Sequence, residues 1–287
     1  MATQLPAPTL QKIRRVGKML NALAAVSPGL AGKAAFRIFC TPQRLSFRTK
    51  DLAFLATAQT ATLPFEGRSL RTYIWEGKTA DAPTILFLHG WESNAARWYK
   101  YIQATLAAGY KVMAVDAPAS GHSGGKRLNV LVYSRTVQKI IGAYGAPYAV
   151  VGHSLGGAAA IFGLTLLEAQ RPERMVVMAS FAESTRVIQD FASLLGANKA
   201  VLEALYHHIE RKSGRPMDEY SVQKKAATLQ DVRGLVIHDA QDEVAPVAEG
   251  AVIAQAWQAQ YLQTEGFGHR LQDKKVIDEV LTFLNMP

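Results

Sequence analysis

The chain has 287 residues, of which 49% are apolar and 19% charged. This composition excludes a disordered or fibrous polypeptide and suits one large domain better than two. The net charge of +9 is not spread evenly: residues 1–50 hold nine Lys and Arg and no Asp or Glu, and the remainder balances. No apolar run approaches the roughly 20 residues needed to cross a bilayer, and no basic patch with interleaved aromatics points to nucleic acid. Cys40 is the only cysteine, which fits a reducing, cytoplasmic setting.

Leu10, Ile13, Val16, Leu20 and Leu23 recur at helical spacing, with Arg14, Arg15 and Lys18 largely off that stripe. A secretory signal is disfavoured there, because Pro28, Gly29 and Lys33 interrupt the apolar stretch early. A second helix is expected from about Leu30 to Phe39, and a short third over Asp51–Gln59. Residues 1–60 therefore read as a basic helical extension.

From residue 61 the pattern changes. Ala61–Phe65 and Leu70–Trp75 flank Gly67 and read as a hairpin. Thr84–Leu88 is a continuous apolar run, as expected of a strand buried on both faces of a sheet. A helix with Trp98, Ile102 and Leu106 on one side follows. Lys111–Val115 reads as a strand, Val130–Tyr144 as a helix, Tyr148–Val151 as a strand, Leu155–Ala169 as an apolar helix and Met175–Met178 as a strand. Such alternation predicts an α/β fold, a mostly parallel central sheet with helices on both faces. It defines a first core segment, 61–181. Residues 182–231 carry helical patterns without a strand and read as a helical cap insertion. Alternation resumes over 232–287 with Leu235–His238, a helix over Val247–Trp257, a strand over Gln260–Thr264 and a final helix.

The most informative motif is Gly152-His153-Ser154-Leu155-Gly156-Gly157. A strand runs straight into it and a helix leaves straight after it. A turn that tight must project Ser154 from the sheet edge in a strained conformation, and side chains at 152 and 156 would collide with the opposite arm. The free N–H groups of the helix N-terminus then face the reacting oxygen.

At this point the sequence resembles the α/β-hydrolase family over about residues 61–287. Four further features agree. His89-Gly90-Trp91 ends an earlier buried strand, where the family places an oxyanion-hole segment. Asp116-Ala117-Pro118 with Gly121-His122-Ser123-Gly124 is similar to the loop after the next strand. Asp242 matches the acid position after the strand that follows the insertion, and His269, in Gly266-Phe267-Gly268-His269, matches the histidine loop before the last helix. The order Ser, Asp, His is the family's order.

The resemblance implies Ser154 as nucleophile, His269 as base, Asp242 as acid, and the amides of Trp91 and Leu155 as oxyanion donors. It leads us to expect a serine hydrolase acting on a small-molecule ester or thioester without cofactor. Thioesterase or acyltransferase chemistry on the same residues, or a non-catalytic binding protein, are the alternatives. His89, Gly90, His153 and, from the insertion, Phe191, Leu195 and Tyr206 are candidates for substrate contact. Asp239, Glu243 and Asp116 compete with Asp242 as the acid. His207-His208 makes a poor metal pair, since adjacent residues point to different sides of a helix, and no metal is expected. The basic stripe over residues 10–23 has two main readings, docking of the apolar side on the catalytic body or peripheral membrane contact, with a signal segment or a dimer contact as lesser ones.

Overall fold

A computed structural model describes residues 6–285. The elements up to the sixth strand are α1 (Ala7–Val26), α2 (Pro28–Phe39), α3 (Thr49–Leu55), β1 (Gln59–Phe65), β2 (Arg68–Trp75), β3 (Thr84–Leu88), α4 (Tyr99–Ala107), β4 (Lys111–Val115), α5 (Val130–Tyr144), β5 (Ala149–His153), α6 (Leu155–Leu164) and β6 (Arg174–Met178). After it come α7 (Ser184–Leu195), α8 (Lys199–Ser213), α9 (Val222–Ala226), β7 (Arg233–Asp239), α10 (Val247–Trp257), β8 (Gln260–Thr264) and α11 (Lys274–Asn285). Among the described residues no helix is long and apolar enough to cross a membrane.

The residues fall into two compact units. The larger runs from Pro42 to Ala182 and resumes at Val222. Its eight strands form one sheet in the order β1-β2-β4-β3-β5-β6-β7-β8. β1 pairs with β2, and β2 with β4, antiparallel; every other neighbour is parallel. Glu66 and Gly67 join β1 to β2 with φ of 47° and 72°, the two-residue turn whose twist suits a hairpin. The parallel strands β3 to β7 are apolar almost throughout because helices cover both faces. On one face Tyr101, Ile102, Val276, Val280 and Leu284 of α4 and α11 pack on Ile85, Phe87 and Val151. The chain moves from β3 to β4 on one side and then crosses to β5 on the other, so the strand order reverses at β3. Crevices at the carboxyl edge of such a reversal are where ligands bind in open α/β sheets.

The smaller unit joins the described residues up to Thr41 with Glu183–Ser221. Leu20, Ala24, Ala31, Ala35, Ile188, Leu195, Val201 and Leu205 form its core, with Ile13, Val16 and Leu23 packed against it. Small residues let the helices close up: a Cβ on Gly32 would lie 2.1 Å from the Ala204 carbonyl oxygen of α8.

Two boundaries differ from the sequence reading. The N-terminal extension ends at Thr41 rather than near residue 60, because α3 packs on the α/β core, with Leu55 buried in it and Phe54 stacked 5.2 Å from Trp75. The inserted segment ends at Ser221 rather than 231, because Val222 and Ala226 of α9 are fully buried in the larger unit. The apolar stripe of α1 also docks elsewhere than expected, in the core of the helical unit. α6 stops at Leu164 rather than Ala169, and Leu166 is 73% exposed; all-round apolarity marks a buried helix without marking its end.

The close helix contact makes a stability test. Gly32→Val is expected to cost about 1–3 kcal/mol through overpacking against backbone. Gly29→Ala, where a Cβ meets nothing within 4 Å, should be neutral or stabilising by up to about 1 kcal/mol. Urea titration followed by far-ultraviolet circular dichroism separates the two, and equal effects would mean that α2 and α8 are not held this tightly.

Candidate active site

Four chain segments meet the carboxyl edge of the sheet: the loop after β3 with His89, Gly90 and Trp91, the β5–α6 turn with Ser154, the loop after β7 with Asp242, and the loop after β8 with His269. Ser154 has φ 54° and ψ −122°, a conformation that costs an L-residue about 1–3 kcal/mol. The turn closes so tightly that a Cβ on Gly152 would stand 2.6 Å from Gly157 Cα, and one on Gly156 would stand 2.4 Å from the Leu88 carbonyl oxygen. The Ser154 amide donates to the Met178 carbonyl at 2.8 Å, which ties the turn to β6. Ser154 heads α6, whose first amides have no acceptor within the helix. Neither the Leu155 nor the Trp91 amide donates to a protein carbonyl among the described residues. Gly90 lies against the turn, where a Cβ would come within 3.1 Å of Ser154 Cβ.

His269 Nδ1 is 2.9 Å and 3.1 Å from the two carboxylate oxygens of Asp242. In the neutral imidazole this contact puts the proton on Nδ1 and leaves Nε2 as the acceptor. Asp242 Oδ1 also accepts from the amides of Val244 and Ala245 at 2.8 and 2.9 Å. Burial alone would raise this carboxyl, but His269 and the two amides outweigh it and hold the group below the ordinary carboxylate range. Asp239 is also buried but faces a different task. It accepts from the Gln241 amide, the Thr264 hydroxyl and the Phe267 amide, binding the end of β7 to the histidine loop. Asp116 accepts from the Ala95 amide, the Tyr73 hydroxyl and the His122 amide and has no bond to His269. Among the described residues no hydrogen bond reaches the Ser154 hydroxyl, and no cluster of three His, Cys, Asp or Glu has the makings of a metal site.

Four consecutive carbonyls of the histidine loop are each held by a side chain. His153 donates to the His269 oxygen at 2.7 Å, Arg97 to Arg270 at 3.0 Å, Tyr101 to Leu271, and Lys100 to Gln272 at 3.3 Å. Arg97 and Tyr101 went unnoticed in the sequence. Their i, i+4 spacing marks a helix face, but nothing in the sequence names a partner loop so distant in the chain. Burial draws the Arg97 guanidinium down to about 10, so it remains a cation at neutral pH.

Several expected substrate contacts have other roles. His89 is fully buried: its Nδ1–H donates to the Gly90 carbonyl and its Nε2 accepts the Ala117 amide, so both nitrogens brace the loop. His153 is 6% exposed and braces His269, its ring 4.8 Å from the His269 ring. Leu195 is buried in the core of the helical unit, with Phe191 and Tyr206 packed against the same cluster and Phe191 edge-on to Phe39 at 5.2 Å. Apolar spacing on a helix shows that a face is covered but not by what.

A model of the "Alpha/beta hydrolase family" matches residues 85–271. A monoacylglycerol lipase of Mycolicibacterium smegmatis is 32% identical over 92 residues, 29% of this chain and 33% of that protein. An esterase of Mycobacterium tuberculosis is 29% identical over 168 residues, 56% of this chain and 51% of that protein. The chain thus spans a third and about half of these curated relatives. Among solved structures, alpha/beta hydrolase domain-containing protein 10 from mouse is 16% identical with a TM-score of 0.60, covering 79% of this chain and 97% of that one.

The site carries a pH signature. His89, His153 and His238 are buried, and burial, the largest influence on each, pulls them below the ordinary value of 6.5. Each is harder to protonate when folded, whereas the unfolded chain takes up protons near pH 6.5. Their contribution to stability is full above that pH and is lost as pH falls below it, by up to about 1.4 kcal/mol per pH unit per histidine. His153→Gln should flatten the acid slope by about one proton's worth. Urea titrations across a pH series check this, and an unchanged slope would mean that His153 is protonated in the folded protein.

Proposed function

Since the chain belongs to the α/β-hydrolase family, we propose that it is a serine hydrolase that cleaves a carboxylic ester of a small or medium substrate through an acyl-enzyme on Ser154. One arrangement carries the reading: a serine in a strained strand-to-helix turn on the same sheet edge as a histidine hydrogen-bonded to a buried aspartate. The names of the relatives, an esterase and a monoacylglycerol lipase, support an ester substrate.

Serine is a weak nucleophile at neutral pH, so its proton must leave as it attacks. In the proposed mechanism the bare Nε2 of His269 takes that proton as Ser154 Oγ bonds to the carbonyl carbon. Asp242 keeps the imidazole in the Nδ1–H form and stabilises the cation. The amides of Leu155 and Trp91 bind the developing oxyanion, with the N-terminus of α6 adding its dipole. His269 returns the proton to the leaving alcohol, and water clears the acyl group by the reverse sequence. The Ser154–His269 hydrogen bond belongs to the substrate complex, as catalytic hydrogen bonds are often long before substrate binds.

The test is a panel of nitrophenyl esters and acyl thioesters of graded chain length, with fluorophosphonate labelling alongside. Ser154→Ala and His269→Ala should each reduce kcat/KM by about 10⁴-fold or more and Ser154→Ala should abolish labelling. Asp242→Asn should cost on the order of 10³–10⁴-fold, and Asp239→Asn far less. Activity that survives in Ser154→Ala overturns the nucleophile. Loss with Asp239→Asn but not with Asp242→Asn overturns the acid. Faster turnover of thioesters than of matched esters assigns the chemistry to a thioesterase.

A further inference from the structure

Ile13, Val16, Leu20 and Leu23 of the α1 stripe pack inside the helical unit, yet a second set of apolar side chains remains in water. Val26 is 86% exposed, Met19 72% and Leu30 56%. Among the described residues, Val26 and Met19 are two of the three most exposed large hydrophobic side chains. They are not scattered. Arg15, Met19, Ala22 and Val26 fall at i, i+4, i+7 and i+11 and share one face of α1, turned away from buried Leu20 and Ala24. Lys12 and Lys18 flank that face. On α2, Leu30, Lys33 and Arg37 likewise share a face at i, i+3 and i+7, opposite buried Ala31 and Ala35. The two helices follow one another with only Ser27 between them. Among the described residues none of these five basic side chains forms an ion pair, and residues 1–50 hold no acid to neutralise them.

We propose that the α1–α2 hairpin docks on an anionic lipid surface, with Met19, Val26 and Leu30 entering the headgroup boundary and Lys12, Arg15, Lys18, Lys33 and Arg37 meeting lipid phosphates and carboxylates. Charge and apolarity on one face select this partner. A second copy of the chain would bring like charges together. Single-stranded nucleic acid is bound through charge and aromatic stacking, and this face has no aromatic; a duplex is bound through charge alone and leaves the exposed aliphatic side chains unused. An anionic bilayer rewards both features at once. Arg14 takes no part: its guanidinium lies over Gly196 at the end of α7. This inference stands independently of the ester chemistry.

The experiment is co-sedimentation of the full-length protein with phosphatidylcholine vesicles, with and without about a third phosphatidylserine, at low and high salt. Binding is expected to the anionic vesicles at low salt, to weaken steeply as salt screens the charges, and to be slight with neutral vesicles. Each basic residue near an anionic surface raises partitioning about fivefold, so Lys12→Glu with Arg15→Glu and Lys18→Glu should lower it by about a hundredfold or more. Met19→Asn, Val26→Asn and Leu30→Asn together should also weaken binding and make what remains more salt-sensitive. Lys78→Glu with Lys275→Glu, exposed basic positions on the larger unit, should change nothing. All substituted side chains are exposed, and circular dichroism checks the folds; the lipid and salt dependence of the wild type needs no variant. Wild type that stays in the supernatant with anionic vesicles at low salt overturns the proposal. So does equal loss in the Lys78 and Lys275 variant, undiminished binding without Met19, Val26 and Leu30, or binding to duplex DNA in the absence of vesicle binding.

Discussion

The turn at Ser154 is the constraint on which the larger unit is organised. Three pieces of backbone come together there with no side chain between them: the end of β3 at Leu88 and His89, the end of β5 at Gly152, and the first turn of α6 at Gly156 and Gly157. A methyl group on either arm would drive them apart. The positive φ of Ser154 persists because β5 is paired on both sides, with β3 and β6, and α6 is buried along its whole length. A sheet this constrained can hold about 1–3 kcal/mol of local strain without yielding. The same fixity presents the serine side chain and the first free amides of α6 at one edge.

The histidine has the opposite problem. It sits in a loop, after an edge strand whose residues are largely exposed, and loops are ordinarily the mobile part of a fold. Here His153, Arg97, Lys100 and Tyr101 hold four successive carbonyls, while Asp239 holds the Phe267 amide. A typical intramolecular hydrogen bond contributes about 0.5–1.5 kcal/mol net, so the set amounts to a substantial local clamp. His153 links the two halves of the site directly, because it is the neighbour of the serine and its ring bonds to the backbone of the histidine. Glycine, serine and histidine in that motif therefore answer three separate demands: close approach, a projected hydroxyl, and a brace to a distant loop.

In the helical unit, α1 carries apolar side chains on two faces, one packed and one exposed. Val16, Leu20 and Ala24 supply the side that packs on neighbouring helices, and small residues set how closely those helices approach. Met19 and Val26 lie on the other side, among lysine and arginine. A periodicity count finds the first set and overlooks the second, because two apolar residues among basic ones do not make a stripe.

Local chemistry was legible without coordinates. The alternation of strands and helices, the strand-to-helix turn around Ser154 and the hairpin at Gly67 follow from patterns within a few residues, where backbone sterics and apolar periodicity act; Asp242 and His269 were singled out by resemblance to the family. What lay beyond the sequence involves partners far apart in the chain. Asp239 ends β7 and Asp242 follows it in the loop; resemblance favoured Asp242, and the bond from the His269 ring separates it from Asp239, which holds the loop. His89 and His153 read as pocket residues, but both are buried, and the two ring nitrogens of His89 and Nε2 of His153 bond to backbone, which makes them braces. Leu195 read as a substrate-contact candidate, and only the packed helices showed that α1 covers it. Sequence by itself determined which segments form elements and which side chains can do chemistry. Tertiary structure decided which of those side chains meet, because hydrogen-bond direction and close packing depend on three-dimensional neighbours that no local pattern encodes.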